Sequence, residues 1–160
     1  MGQIQYVIKS KIGPLHLVAS KDGLQGVFFD KQAVKAVKNL NRLKPEEKIL
    51  GKAALQLEEY FAGKRKKFDI ALNFSGTSFQ KQVWRELSKI PFGKTVSYRD
   101  IAKKIKNPKA LRAVGSANGR NPMCVIVPCH RVIAADGSIG GYSGGIPIKQ
   151  QLLKFEQTHK

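Results

Sequence analysis

The apolar pattern of this 160-residue chain changes period at Asn73–Thr77, and that switch limits the folds open to it. Upstream, Ile4–Ile8, Leu15–Ala19 and Leu24–Phe29 are apolar segments of strand length, and Asp22-Gly23 between the last two is a hairpin signal. Pro45 then opens a helical run to Phe61, with Leu50, Ala54, Leu57 and Phe61 at helical spacing and Gly63 as its stop. Phe68 to Leu72 reads as one more strand. Downstream the pattern is helical. Ser78 can cap a helix to about Ile90, ended by Pro91-Phe92-Gly93. Ser97 and Asp100 form a capping-box start for Tyr98 to Ile105. Asn107-Pro108 opens a helix to about Asn118, closed by Gly119. A buried strand over Val125-Ile126-Val127, a glycine-rich loop over 137–145 and a terminal helix from Pro147, with Ile148, Leu152 and Leu153 inward, complete the reading. The chain is therefore expected to be α+β in two parts. Residues 1–75 form a scaffold of a small mixed or antiparallel sheet with a helix. Residues 76–160 form a mostly helical, winged-helix-like domain with a helix-turn-helix.

The charge balance narrows the partner. There are 29 Lys and Arg against 11 Asp and Glu, a formal net charge of +18, which points to a polyanion and most often to nucleic acid. Eight of the basic residues fall between Lys94 and Arg120, with Asp100 the one acid there. A second run, Lys64-Arg65-Lys66-Lys67, reads as a solvated turn. The expected helix after Pro108 is slim, with Ala110, Ala113, Gly115, Ser116 and Ala117 around a single long side chain, Arg112. A helix that reads bases in the major groove carries several long polar side chains. This one suits shape-based docking of the minor-groove kind. No apolar run approaches the roughly 20 residues of a membrane span. The N-terminus lacks the basic and apolar regions of a signal peptide, so a cytoplasmic protein with no membrane association is expected. Two cysteines do not suggest a disulfide framework, and with three histidines they are too scattered for a zinc site.

The chemistry centres on Pro128-Cys129-His130-Arg131-Val132. A thiol attacks as thiolate, its free pKa is about 8.5, and a neighbouring imidazole and guanidinium can lower that value. Proline before the cysteine suits a fixed, bent backbone. On these residues and the basic charge, a DNA-binding regulator with Cys129 as sensor or spectator and a thiol hydrolase built on Cys129, His130 and Glu156 both stand open. Cys124, close by, reads as a buried inert cysteine.

Several motifs together resemble the O6-alkylguanine-DNA alkyltransferase family. They are Gly76-Thr77-Ser78-Phe79-Gln80, Val83-Trp84, Ile90-Pro91-Phe92-Gly93-Lys94-Thr95, Ser97-Tyr98, Arg112-Ala113-Val114-Gly115, Asn121-Pro122, the Pro128–Val132 stretch and Gly141-Tyr142-Ser143-Gly144-Gly145, with Leu57–Gly63 upstream. The resemblance covers about residues 53 to 157; the first 50 share only a strand-rich character. It implies irreversible, one-for-one transfer of an alkyl group from guanine O6 in double-stranded DNA to Cys129, and it leaves O4-alkylthymine open as a second substrate. By the same resemblance His130 takes the thiol proton, Glu156 orients the imidazole, Asn121 links the helix-turn-helix to the active-site strand, and Tyr98 protonates the departing guanine. Arg112 fills the stack where the nucleotide flips out. Tyr142, Ser143 and the Val132 backbone bind the base, and Thr95, Ala113 and Gly115 belong to the DNA-contacting set. A monomer with no cofactor is expected, and since the first half lacks the cysteine cluster that binds zinc in some relatives, no metal is expected.

Overall fold

The structure is a computed structural model that describes residues 2–41 and 44–160. The chain divides into two compact units, one ending at Ser75 and the other spanning Gly76–Lys160. No described helix is long and apolar enough to cross a membrane.

In the first unit the expected strands form as β1 (Ile4–Ile8), β2 (Leu15–Ser20) and β3 (Gly23–Phe28), paired antiparallel in sequence. A fourth strand, β4 (Lys35–Ala36), adds to β1 in parallel and makes the sheet mixed, in the order β3-β2-β1-β4. No apolar pattern signals β4. A buried side chain holds its approach: Gln5 Nε2 donates to the carbonyls of Gln32 and Val34, each at 2.6 Å, and Gln32 N–H donates back at 3.0 Å. Helix α1 (Pro45–Phe61) starts on a proline whose missing N–H is one of the orphan donors of a helix start, with Glu46 and Glu47 favourably placed in the first turn. It packs on β1, β2 and β3, and Leu50, Ala53, Leu57 and Tyr60 are fully buried with Leu15, Leu17 and Leu24. Gly63 ends it at φ +76°, the left-handed region that glycine enters without a Cβ penalty. The strand expected over Phe68–Leu72 is a single bridge between Leu72 and Leu24. Gln56 on α1 takes both groups of Asp69, accepting from its N–H at 2.9 Å and donating to its carbonyl at 3.1 Å, so those groups are spent on a helix rather than on a ladder.

The second unit holds α2 (Ser78–Leu87), β5 (Val96–Ser97), α3 (Tyr98–Lys104), α4 (Leu111–Gly119), β6 (Val132–Ile133) and α5 (Ile146–His159). Thr77, not Ser78, caps α2: its hydroxyl accepts from Gln80 N–H and the Gln80 side chain accepts from Thr77 N–H. The Ser97/Asp100 capping box opens α3 as the spacing predicts. Helix α4 starts at Leu111, three residues later than expected, because Asn107–Ala110 closes as a turn, with Ala110 N–H donating to the Asn107 carbonyl at 3.0 Å. Gly119 is its last residue and Arg120 its cap. α4 packs on α2 and α3, and Trp84 Nε1–H donates to the Ala117 carbonyl at 2.8 Å. Beside this helix pair lie the two-residue strands β5 and β6, paired in parallel.

Val125-Ile126-Val127 is buried as expected but is not a strand. The segment is a run of tight turns: Val127 N–H donates to Met123, Ile126 N–H to Cys124 and Cys129 N–H to Val127, at 2.8–2.9 Å. The bond from Ile126 to Cys124 spans two residues and places Val125 at φ +70°, a region a β-branched residue occupies only under strain. Pro128, at φ −81° and ψ 64°, makes the second such turn. Asn121 takes the place of a neighbouring strand, accepting from Met123 N–H at 3.0 Å and donating to the Val127 carbonyl at 2.7 Å.

Candidate active site

The tight turns deliver Cys129 at the start of a one-turn 3-10 helix, Cys129–Arg131, whose three residues are all buried. His130 is wholly enclosed and its Nε2 lies 2.7 Å from Glu156 Oε2. An ionised carboxylate only accepts, so Nε2 carries the proton and Nδ1 presents a lone pair. That Nδ1 is buried and has no hydrogen-bond partner among the described residues. Burial lowers the His130 pKa below its ordinary 6.5, against the upward pull of the Glu156 hydrogen bond and charge, so the ring is neutral at rest.

Glu156 is the hub. Burial alone would raise its pKa, but hydrogen bonds and charge from His130 and Arg131 outweigh it and hold the carboxyl well below the usual range. Arg131 donates to it from Nε at 2.8 Å and Nη2 at 2.9 Å, and to the Ile90 carbonyl from Nη1 at 2.6 Å. Gly93 N–H donates to it at 3.1 Å. Arg131 is thus spent on Glu156, and the expectation that its guanidinium lowers the thiol pKa fails. Burial pushes the Cys129 thiol up to about 11, opposed by the Asn121 side chain and the Lys149 charge. Cys129 is a protected thiol that needs a base as it reacts. Cys124 is buried too, its thiol pushed well above the ordinary value by burial and by Cys129, as the inert reading expects.

Lys149 was not visible as a site residue in the sequence. It is fully buried on the inner face of α5 with Leu152 and Glu156, the stripe that the sequence assigned to Ile148, Leu152 and Leu153. Its Nζ donates to the carbonyls of Val132 at 2.6 Å and Gly141 at 3.0 Å and lies 6.0 Å from the centre of the Tyr98 ring. Burial lowers its pKa to about 8. A lysine spaced i, i+3, i+7 with a leucine and a glutamate was the only signal, and its charge argued for the outer face. Tyr98 is half-buried, and burial raises its pKa, against a hydrogen bond from the Gly141 backbone and with a smaller push from Cys129. Gly140, at φ +74°, lies so close over the ring that a Cβ there would stand 2.9 Å from the Tyr98 hydroxyl.

Tyr98, Asn121 and Lys149 thus interact with the Cys129 thiol, His130 follows it in the chain with Glu156 behind the ring, and Val132, whose carbonyl Lys149 holds, opens β6. A second group gathers on the flank: Arg112, Gly115 and Tyr98 line an open apolar cleft of about 330 Å³ with Arg99, Leu111 and Ala134. Arg112 and Ala113 are exposed on the outer face of α4. Thr95 and Ser143 are exposed, and Tyr142 is half-buried in the glycine-rich loop.

Known proteins match both units of the chain. The family described as 6-O-methylguanine DNA methyltransferase, DNA binding domain, matches residues 78–158, and its ribonuclease-like domain matches residues 4–74. The methylated-DNA–protein-cysteine methyltransferase of Methanosarcina mazei is 48% identical over 154 residues, 96% of this chain and 97% of that protein. Its counterpart in Methanosarcina acetivorans is 49% identical over 150 residues, 94% of this chain and 96% of that one. The crystal structure of Mycobacterium tuberculosis OGT in complex with DNA superposes with a TM-score of 0.87 at 40% identity, covering 98% of this chain and 94% of that chain. With matches in both units and near full-length coverage, the chain belongs to the 6-O-methylguanine DNA methyltransferases, the family of methylated-DNA–protein-cysteine methyltransferases.

Proposed function

We propose that this chain repairs DNA by moving an alkyl group from guanine O6 to Cys129 Sγ, once per molecule and without a cofactor, acting as a monomer in the cytoplasm. The observation that carries the reading is the buried Cys129-His130-Glu156 set beside a slim helix whose outer face presents Arg112, within a strongly basic unit. Between Gly76 and Lys160 there are 15 Lys and Arg against four Asp and Glu, and one of those acids, Glu156, is buried. Phosphates are drawn to such a face.

The target carbon lies inside a duplex, so the nucleotide flips out, at a cost of a few kcal/mol. In this reading Arg112 fills the gap, and Tyr142, Ser143 and the Val132 backbone hold the extruded base, while Thr95, Ala113 and Gly115 lie along the DNA. Sγ then forms a bond to the alkyl carbon as the carbon–O6 bond breaks. The thiol proton passes to His130 Nδ1, and Glu156 stabilises the resulting imidazolium. The displaced guanine leaves as an anion and takes a proton from Tyr98, whose raised pKa keeps that proton in place until it is needed. The thioether has no leaving group, so no turnover follows.

The deciding measurement is the intact mass of the protein after mixing with duplex DNA carrying O6-methylguanine. A gain of one methyl for one hydrogen, located on Cys129, is the expected result. An unchanged mass in folded, DNA-bound protein overturns the reading. The same readout with O4-methylthymine tests the second substrate.

Two further outcomes are expected. Arg112→Ala should slow repair of duplex DNA by about ten- to a hundredfold through the lost support of the flipped state. It should leave the reaction with free O6-benzylguanine within twofold, and equal losses on both substrates count against a stacking role. The pH profile should follow His130. Because its pKa is lowered below 6.5, more than half of the imidazole is still a base at pH 6.5, so more than half of the maximal rate should remain there and be lost on further acidification. A rate already halved at pH 7 contradicts this assignment.

A further inference from the structure

Helix α4 has two faces. Arg112, Ala113 and Ser116 are exposed, while Val114, Ala117 and Asn118 form the buried stripe. An inner stripe of this kind is ordinarily apolar throughout. Asn118 breaks it: the residue is 3% exposed, yet among the described residues its amide makes a single long hydrogen bond, from Nδ2 to the carbonyl of Cys129 at 3.4 Å. Its Oδ1 is buried and has no hydrogen-bond partner among the described residues. A side-chain amide offers two donors and an oxygen acceptor, so most of its capacity is idle. An unpaired buried acceptor costs stability, and a leucine of the same branching would be free of that cost. Stability therefore does not explain the residue.

The bond it does make joins two places that matter. One end is the helix whose outer face carries Arg112. The other is the peptide of the acceptor cysteine. Asn121, by contrast, follows the helix; its side chain binds Met123 and Val127 within the turn and acts on the Cys129 thiol, whereas Asn118 holds the Cys129 peptide. We infer that Asn118 is a positioning residue, holding the Cys129 peptide from within α4 so that docking of that helix aims the thiol. The inference rests on the alkyl-acceptor reading above. It predicts a trade of stability for activity at one buried amide.

The test uses Asn118→Leu and Asn118→Ala beside the wild type. Single-turnover methyl transfer is read at saturating O6-methylguanine duplex, with DNA affinity and Tm measured in parallel. The expected result for Asn118→Leu is a maximal rate lower by about ten- to a hundredfold, the range set by small misplacements of a reacting group. DNA affinity should stay within twofold and Tm should not fall. Asn118→Ala should show the same loss of rate at unchanged affinity, so the test stands even where leucine prevents folding. A maximal rate within twofold of wild type in either folded variant overturns the inference. So does a loss of rate matched by a loss of DNA affinity, or confined to a leucine variant whose Tm has dropped, since each marks a merely structural role. A wild type that takes up no methyl overturns the alkyl-acceptor reading itself, and this inference with it.

Discussion

Cys129→Ser is expected to bind alkylated duplex DNA as the wild type does and to take up no alkyl group. The sulfur is fully enclosed, and serine replaces it with a smaller atom of the same branching, so the fold and α4 are undisturbed. The chemistry is not spared. A hydroxyl at its free pKa is a far weaker nucleophile than a thiol, and loss of a nucleophile within a set of residues acting together costs roughly 10⁴- to 10⁶-fold. Nothing in the site compensates: Cys124, the other thiol, is buried with its pKa pushed well above the ordinary value. Peptide mapping of the variant after long incubation should find no alkylated residue. Uptake on Cys124 at a rate near that of the wild type would show that Cys129 is not the acceptor.

Glu156→Gln is expected to lose both stability and rate. Four N–H donors converge on this carboxylate, from His130, Gly93 and twice from Arg131. Glutamine keeps the shape, presents one oxygen in place of two, and leaves the Arg131 guanidinium, 5% exposed, without its counter-charge. Breaking a buried pair in this way costs about 3–5 kcal/mol. That corresponds to a fall in Tm of roughly 10–20 °C for a protein of this size. The rate should fall as well, by roughly 10²- to 10⁴-fold, the range of general-base catalysis. The amide no longer raises the His130 pKa, and it no longer fixes the proton on Nε2. The pH dependence has a definite sign. The Glu156 pKa is lowered in the folded state, so its contribution is complete above the ordinary carboxylate value of 4.5 and is lost as pH falls below it. His130, lowered below 6.5, acts in the same direction: the unfolded chain takes up its proton first as pH drops through 6.5. Wild-type stability should therefore decline from pH 6.5 downward and more steeply below 4.5, whereas the glutamine variant should lack the second component. A variant that melts within 3 °C of the wild type would mean that Arg131 finds its compensation elsewhere.

Much of this was written locally. Helix α1 runs from the proline to the phenylalanine that the pattern names, and the Ser97/Asp100 capping box sits where its spacing places it. Both are set by contacts within a few residues, which is the range over which sequence pattern acts. The family resemblance was plain from about residue 53 onward, while the match to known proteins runs from residue 4. In the first unit the chain is constrained by burial, which many apolar residues satisfy, so few positions carry a recognisable identity.

The failures share one cause. Val125-Ile126-Val127 reads as a strand because strand and buried turn have the same composition; the turn forms because Asn121 satisfies the backbone groups that a ladder would take. Strand β4 exists because Gln5 captures the segment before it, and the strand at Phe68–Leu72 is reduced because Gln56 captures Asp69. The sequence by itself determined the two-part α+β organisation, the basic character of the chain and the thiol–imidazole pair. Tertiary structure alone decided that Arg131 serves Glu156 and not the thiol, that Lys149 faces inward, and that Asn118 reaches Cys129. The reason is the same in each case: a polar group's partner is chosen by what burial brings within hydrogen-bond reach of it, across 25 residues for Arg131 and 17 for Lys149.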